Sequence, residues 1–237
     1  LFFYRFQNKH VPLYPNYQFG FKMKKIAALV LVVCMTCASV FALDFGAGGM
    51  FDFTHEHAYA KATLGPVTTT SSGDISLIGF KGFFDAQYAV ASFGINTNIT
   101  KQKMTVGSTS TLTDLTIRYF NIGLLAKYPI ELGSIQIFPL VGVDWDIIIS
   151  YQKNNTSYKI DSAAREEFNA LWLDLGVGAD IPLGSGALYL RPQGIFGIQL
   201  NTPASVKQQK KQAEALGQKL SVGTLKFNIG LGLIRKF

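Results

Sequence analysis

The chain has 237 residues, 22 Lys and Arg against 15 Asp and Glu, and a formal net charge of +7. Five of the basic residues (Arg5, Lys9, Lys22, Lys24 and Lys25) and no acidic one precede residue 43, which leaves 17 basic and 15 acidic residues, a net of +2, in the remainder. That balance excludes the electrostatic footprint of a nucleic-acid binder. Both cysteines, Cys34 and Cys37, also lie in this first part, so no disulfide framework supports the rest.

From Met23 the sequence reads "MKKIAALVLVVCMTCASVFALDF". Lys24 and Lys25 form a basic start, Ile26 to Val33 an apolar run, and Val40, Phe41 and Ala42 a small-residue cleavage site. The run is shorter than the roughly 20 apolar residues of a membrane helix. We read residues 23–42 as a secretory signal cleaved after Ala42. A lipoprotein signal would need small residues just before Cys34 or Cys37, and Val33 fits that poorly. Residues 1–22, without consistent periodicity, are read as a non-native upstream extension from a start assigned too early, with a long basic leader as the alternative.

Residues 43–237 are expected to form one β-domain. Successive side chains of a strand point to opposite faces, and eight segments alternate in this way: 43–54, 75–85, 87–99, 114–129, 134–151, 167–182, 187–200 and 223–237. In "LWLDLGVGADI", Leu171, Leu173, Leu175, Val177, Ala179 and Ile181 share one face, with Trp172, Asp174, Gly176, Gly178 and Asp180 on the other. "TLKFNIGLGLIRKF" repeats the scheme at the end of the chain, with Leu225, Phe227, Ile229, Leu231 and Leu233 opposite Lys226, Asn228, Gly230 and Gly232. Helical spacings of three and four are missing. Connections alternate in length: Asp85-Ala86, "PIELGS" and "PLGSG" are short, while "THEHAYAKATLGPVTTTSSGD", "TKQKMTVGSTSTLT", "QKNNTSYKIDSAARE" and "NTPASVKQQKKQAEALGQKLS" are long and polar. Outer-membrane barrels show this asymmetry.

A soluble sandwich or lipocalin-like barrel also alternates, but turns its apolar face inward. Here the greasy face is continuous, and the other is rich in glycine with single charges. The expected fold is therefore all-β, an eight-stranded antiparallel transmembrane β-barrel crossing the lipid bilayer of a bacterial outer membrane. Phe45, Phe120, Tyr128, Tyr151 and Phe237 near strand ends suit interfacial girdles. An open sheet edge cannot exist in lipid, so the last strand is expected to close on "DFGAGGMFDF". That closure sets Asp44 and Lys236 at one rim, where their charges are expected to attract weakly. The aromatic Phe237 also resembles the signal read by outer-membrane assembly machinery.

"GFFDAQYAVASFGI", "LLAKYPIELG", "FPLVGVDWDI", "LGVGADIPLG" and "LYLRPQGIFGIQL" resemble the small OmpW/OmpX-like barrels of spirochaetes, particularly treponemes. The resemblance implies a monomeric eight-stranded barrel, passage of small or hydrophobic solutes, and exposed loops facing the host. It carries no catalytic motif.

The polar phase holds Asp44, Asp52, Lys81, Asp85, Lys127, Asp144, Asp146, Asp174, Asp180, Arg191, Lys226 and Lys236 as candidate lumen residues. They read either as a charged conduit or as a packed interior, because eight strands leave a lumen scarcely wider than its side chains. The working function is a small passive channel for small or hydrophobic solutes. The alternative is a closed barrel whose loops bind host or envelope components. His55 and His57 share a face at the start of a loop, but two ligands do not make a metal site. With a loop Ser or Asp they are the only raw material for catalysis, and no triad spacing appears, so no enzyme and no cofactor is expected. Lys207, Lys210 and Lys211 read as a solvated basic loop, with a short helix as the alternative. Pro139 and Pro192 each remove a ladder donor on the lipid-facing phase, with a local bulge as the expected remedy.

Overall fold

A computed structural model describes residues 44–64, 67–98, 102–106, 108–153 and 156–237. The expected signal segment 23–42, the expected upstream extension 1–22 and the expected cleavage point before Leu43 lie outside the described residues.

The described residues form β1 (Phe45–Leu64), β2 (Val67–Ala86), β3 (Ala89–Asn98), β4 (Gln102–Val106), β5 (Thr109–Thr113), β6 (Leu115–Lys127), β7 (Ile130–Leu132), β8 (Ile135–Lys153), β9 (Thr156–Tyr158), α1 (Ser162–Phe168), β10 (Ala170–Pro182), β11 (Leu188–Gln199), α2 (Ala204–Ala215) and β12 (Lys219–Lys236). Eight strands pair in a ring, β1-β12-β11-β10-β8-β6-β3-β2, and β2 returns to β1. Every ladder is antiparallel. The ring closes where expected: Gly46 faces Lys236, and the Phe237 N–H donates to the Phe45 carbonyl at 2.8 Å. Closure leaves the ring no edge to protect.

Alternation decides the two surfaces. Each strand of the ring presents apolar side chains outward: Phe51 and Phe53, Phe80 and Phe84, Phe93 and Ile95, Ile122 and Leu124, Val141 and Val143, Leu173 and Leu175, Phe196 and Ile198, and Ile229 and Leu231 are all exposed. A greasy belt on all eight strands is far larger than the apolar patches of soluble monomers. It is the surface of a transmembrane barrel, whose backbone polar groups are satisfied between strands.

One rim is made of tight turns. Gln87 (φ 42°) turns β2 into β3, and Gly133 (φ 64°) and Gly184 (φ 78°) supply the left-handed conformation in the other two turns. At the opposite end the sequence reading is corrected. Thr54–Leu64 and Val67–Asp74 are strand, not loop: β1 and β2 have 20 residues each and stay paired to Leu64 and Val67. At about 3.3 Å per residue each is ~65 Å long, twice what a crossing needs. β12 follows β1 up to Thr63, and the β4–β5 hairpin adds to β2 through Ser71–Val106 pairing. The third long connection becomes β9 and α1, and the basic loop becomes helix α2. Local polarity concealed these elements because their partners are neighbouring ribbons.

The helices are tied together. Asp161 caps α1 by accepting from the Ala164 N–H at 2.9 Å. Glu167 on α1 accepts from the Ser205 N–H at 2.9 Å and from the Ser205 hydroxyl, meeting orphan donors at the start of α2.

Two further expectations change. The β6–β8 register shifts between Arg118 and Tyr119, so Ile149 has no partner and the phase of β8 inverts beyond it. Tyr151 therefore packs inward against Tyr158 and Phe168 instead of joining an outer girdle. No bulge surrounds the prolines. The Tyr128 N–H donates to the Pro139 carbonyl, so the side of Pro139 that lacks a donor faces the end of β6. At Pro192 the β10–β11 ladder simply pauses between Gly178↔Gln193 and Ile181↔Leu190, with its register unchanged.

Candidate functional site

The inward phase carries the charges, and the strand order brings them into two layers. Near the tight-turn rim, Arg191 from β11 forms a bidentate pair with Asp180 of β10, at 2.6 and 2.8 Å. It also reaches Asp85 at 2.5 Å, and Lys127 donates to that same carboxylate at 2.7 Å. Lys236 bonds Asp180 at 2.9 Å and Gln136 at 3.1 Å. The guanidinium lies over the rings of Phe83 and Phe138, at 5.1 and 4.9 Å, so its faces are covered as its edges are bonded. Arg191 is 1 % exposed and Asp180 0 %. A buried charge persists only when paired and hydrogen-bonded in this way.

Halfway along the barrel, Lys226 reaches Asp144 at 3.2 Å and Asp174 at 3.3 Å, and lies over the Trp172 ring at 4.8 Å. Lys81 sits between Asp52 (3.7 Å) and Asp144 (3.9 Å). Asp146 accepts from the Trp172 indole N–H at 2.7 Å and from the Asn121 amide at 2.8 Å. Asn228 donates to Asp52 at 2.9 Å and Thr54 at 2.7 Å. Among the described residues, one oxygen each of Asp52, Asn96, Asn121 and Asn228 at this level has no hydrogen-bond donor. Buried oxygens of this kind are where interior water binds.

Glycine makes room for these groups. A Cβ on Gly123 would stand 2.1 Å from Asp144 Oδ1, and one on Gly197 2.5 Å from Asp174 Oδ1. Apolar side chains fill what remains: Leu125, Phe138, Leu140 and Ile195, then Met50, Phe83, Val90 and Ile234. Beyond the middle layer Leu77, Leu115, Ile117, Tyr119 and Ile148 form a third buried cluster, with Ile160 and Phe168 packed onto it. A cavity of about 260 Å³ opens at the tight-turn rim among Asp44, Asp85, Lys127, Glu131 and Lys236. A smaller one of about 20 Å³, room for one water, lies beside Lys81, Asp144 and Arg191.

Of the charges singled out in the sequence, Asp52, Lys81, Asp85, Lys127, Asp144, Asp146, Asp174, Asp180, Arg191 and Lys226 are buried in the layers. Asp44 is exposed at the rim. It shares the rim cavity with Lys236, but Lys236 stands opposite Gly46 and pairs with Asp180. The expected Asp44–Lys236 attraction is not made. Asn96, Asn121 and Thr54 were not singled out, although they continue the polar phase of their strands. Glu56 also continues it, directly across the ladder from Lys226.

His55 and His57 point outward, on β1, not from a loop. The His57 Nδ1 lies 2.6 Å from Asp74, and the His55 Nδ1 lies 3.1 Å from the Ser76 hydroxyl. No three-ligand metal cluster occurs among the described residues.

No protein-family profile and no curated protein matches the chain. Solved structures similar to it include Neisserial surface protein A, with 11% identity over 79% of this chain and 97% of that one and a TM-score of 0.43. The outer-membrane protease OmpT of Escherichia coli matches at 8% over 84% and 100%, with a TM-score of 0.41. The attachment invasion locus protein Ail of Yersinia pestis matches at 10% over 80% and 99%, with a TM-score of 0.34. At identities and scores this low, nothing about the chemistry of this chain follows from them.

Proposed function

We propose that the protein is an integral outer-membrane barrel that acts through its projecting end and not by conduction. The observation that carries this reading is the interior: two buried ion layers, three apolar clusters and the inward turn of Tyr151 occupy the bore. Opening a path would separate buried ion pairs, and breaking such a pair costs about 3–5 kcal/mol. The opposite end is built as a platform, with β1, β2 and β12 running on past the greasy belt and two linked helices beside them. Short turns face the periplasm in such barrels, so the platform faces outward from the cell. Lys207, Lys210, Lys211 and Lys219 in and beside α2 favour anionic envelope or host polymers as partners.

The second reading is a narrow channel for small or hydrophobic solutes, as the OmpW/OmpX-like resemblance implies. The charged rim cavity favours it. Recording from the refolded barrel in planar bilayers decides between them. A silent membrane, with retention of the protein on an anionic polysaccharide matrix, is expected; discrete conductance steps would establish the channel instead.

A further inference from the structure

The outer face carries a group that the closed-barrel reading leaves unused. Antiparallel pairing of β1 with β2 sets His55 opposite Ser76 and His57 opposite Asp74, all on the outward phase. The His55 Nδ1 is 3.1 Å from Ser76 Oγ, and its Nε2 is 3.7 Å from Asp74 Oδ1. His57 holds the same Asp74 oxygen at 2.6 Å, which steadies the carboxylate. Nucleophile, base and orienting carboxylate thus stand in the order that acyl transfer requires. The three residues lie on two strands, so no linear spacing in the sequence announces them.

Their height on the barrel identifies the substrate class. The next outward pair toward the membrane is Phe53 with Ile78, and Phe227 of β12 stands beside His55. All three are exposed members of the greasy belt. Away from the membrane the outward pairs become Tyr59 with Ser72 and Lys61 with Thr70. The Ser–His pair sits at this boundary, about 10 residues along β1 from the tight-turn rim, where one membrane crossing ends. In a bilayer that boundary holds the acyl ester bonds, with chains on one side and headgroups on the other.

We propose that Ser76, His55 and Asp74 form a membrane-facing acyl-ester hydrolase site for lipids. Ser76 Oγ attacks the ester carbonyl carbon as its proton passes to His55 Nδ1. The ester C–O bond breaks, and His55 returns the proton to the departing alkoxide, leaving an acyl-Ser76 ester and the deacylated lipid. Water then attacks that ester with His55 as base, which releases the fatty acid and restores the serine. Asp74 Oδ1, at ion-pair and not hydrogen-bond distance from His55 Nε2, favours the cationic form of the ring electrostatically. No dedicated oxyanion donor enters this scheme, and such donors are worth about 10²–10³ in rate, so turnover is slow.

The test uses the refolded barrel in vesicles of phosphatidylethanolamine and phosphatidylglycerol, and separately with purified outer-leaflet glycolipid. Fatty-acid release is the readout, and the two arms distinguish the source of the ester. Release at least tenfold above protein-free vesicles is expected in one arm, lost in Ser76→Ala and His55→Gln and kept in the neighbouring surface variant Ser72→Ala. A fluorophosphonate probe should label wild-type protein at Ser76, a readout that needs neither a variant nor turnover. Absence of both release and labelling overturns the proposal. So does release that survives Ser76→Ala.

Discussion

Replacing Arg191 by Met keeps the length and most of the volume of the side chain while removing its charge. Arg191 is the hub of the rim layer: it binds Asp180 through two hydrogen bonds, reaches Asp85, and lies over Phe83 and Phe138. Taking one partner from a buried ion pair costs about 3–5 kcal/mol, because the charge left behind is uncompensated. Neither carboxylate is stripped bare here. Asp180 keeps Lys236 at 2.9 Å, and Asp85 keeps Lys127 at 2.7 Å. The loss is therefore expected at the lower end, about 3 kcal/mol. Urea unfolding in phospholipid vesicles measures it, followed through the fluorescence of buried Trp172 and outward Trp145. Asp180→Asn made alone and together with Arg191→Met completes a double-mutant cycle. Groups sharing a bidentate contact couple, so the double variant should lose less than the sum of the singles, by about 1–3 kcal/mol. A single-variant loss below about 1 kcal/mol, or strict additivity, would show that the rim layer is wet and loosely joined.

Two further expectations follow from register. Leu173 points outward and Asp174 is fully buried, so Leu173→Arg should cost about 2–4 kcal/mol at mid-membrane depth and impair folding more than Asp174→Asn. Equal losses in the same unfolding assay, or the reverse order, would mean that β10 had slipped by one residue. Cysteines replacing Ala47 and Arg235, which face each other across the closing ladder, should join as a disulfide in inserted protein lacking residues 1–42. If mass spectrometry finds position 47 linked to another strand, or no link at all, the ring does not close through β1 and β12.

The alternation of apolar and polar residues is a local property, and strand geometry converts it directly into two faces. For that reason the eight crossings, the greasy outside, and the inward phase of Asp174, Arg191 and Asn228 were all legible in the sequence. What no segment contains is its height against its neighbours. Lys226 meets Asp144, 82 residues away, and Asp174, 52 away, only because β12, β8 and β10 assume one relative stagger. The same stagger sets Ser76 against His55 and leaves Lys236 opposite Gly46 instead of Asp44. The bulge at Arg118 and Tyr119 is one extra residue in β8, invisible to period-two counting, yet it turns Tyr151 from the membrane into the bore. The stretch beyond Thr54 looked like a loop because its few apolar residues, Ala58, Tyr59, Ala60, Ala62 and Leu64, do not make a continuous greasy face. It is strand because β2 and β12 offer it hydrogen bonds on both sides. Pattern along the chain chooses the face a residue shows, whereas pairing between chain segments chooses the residue it meets, and charge networks depend on the second.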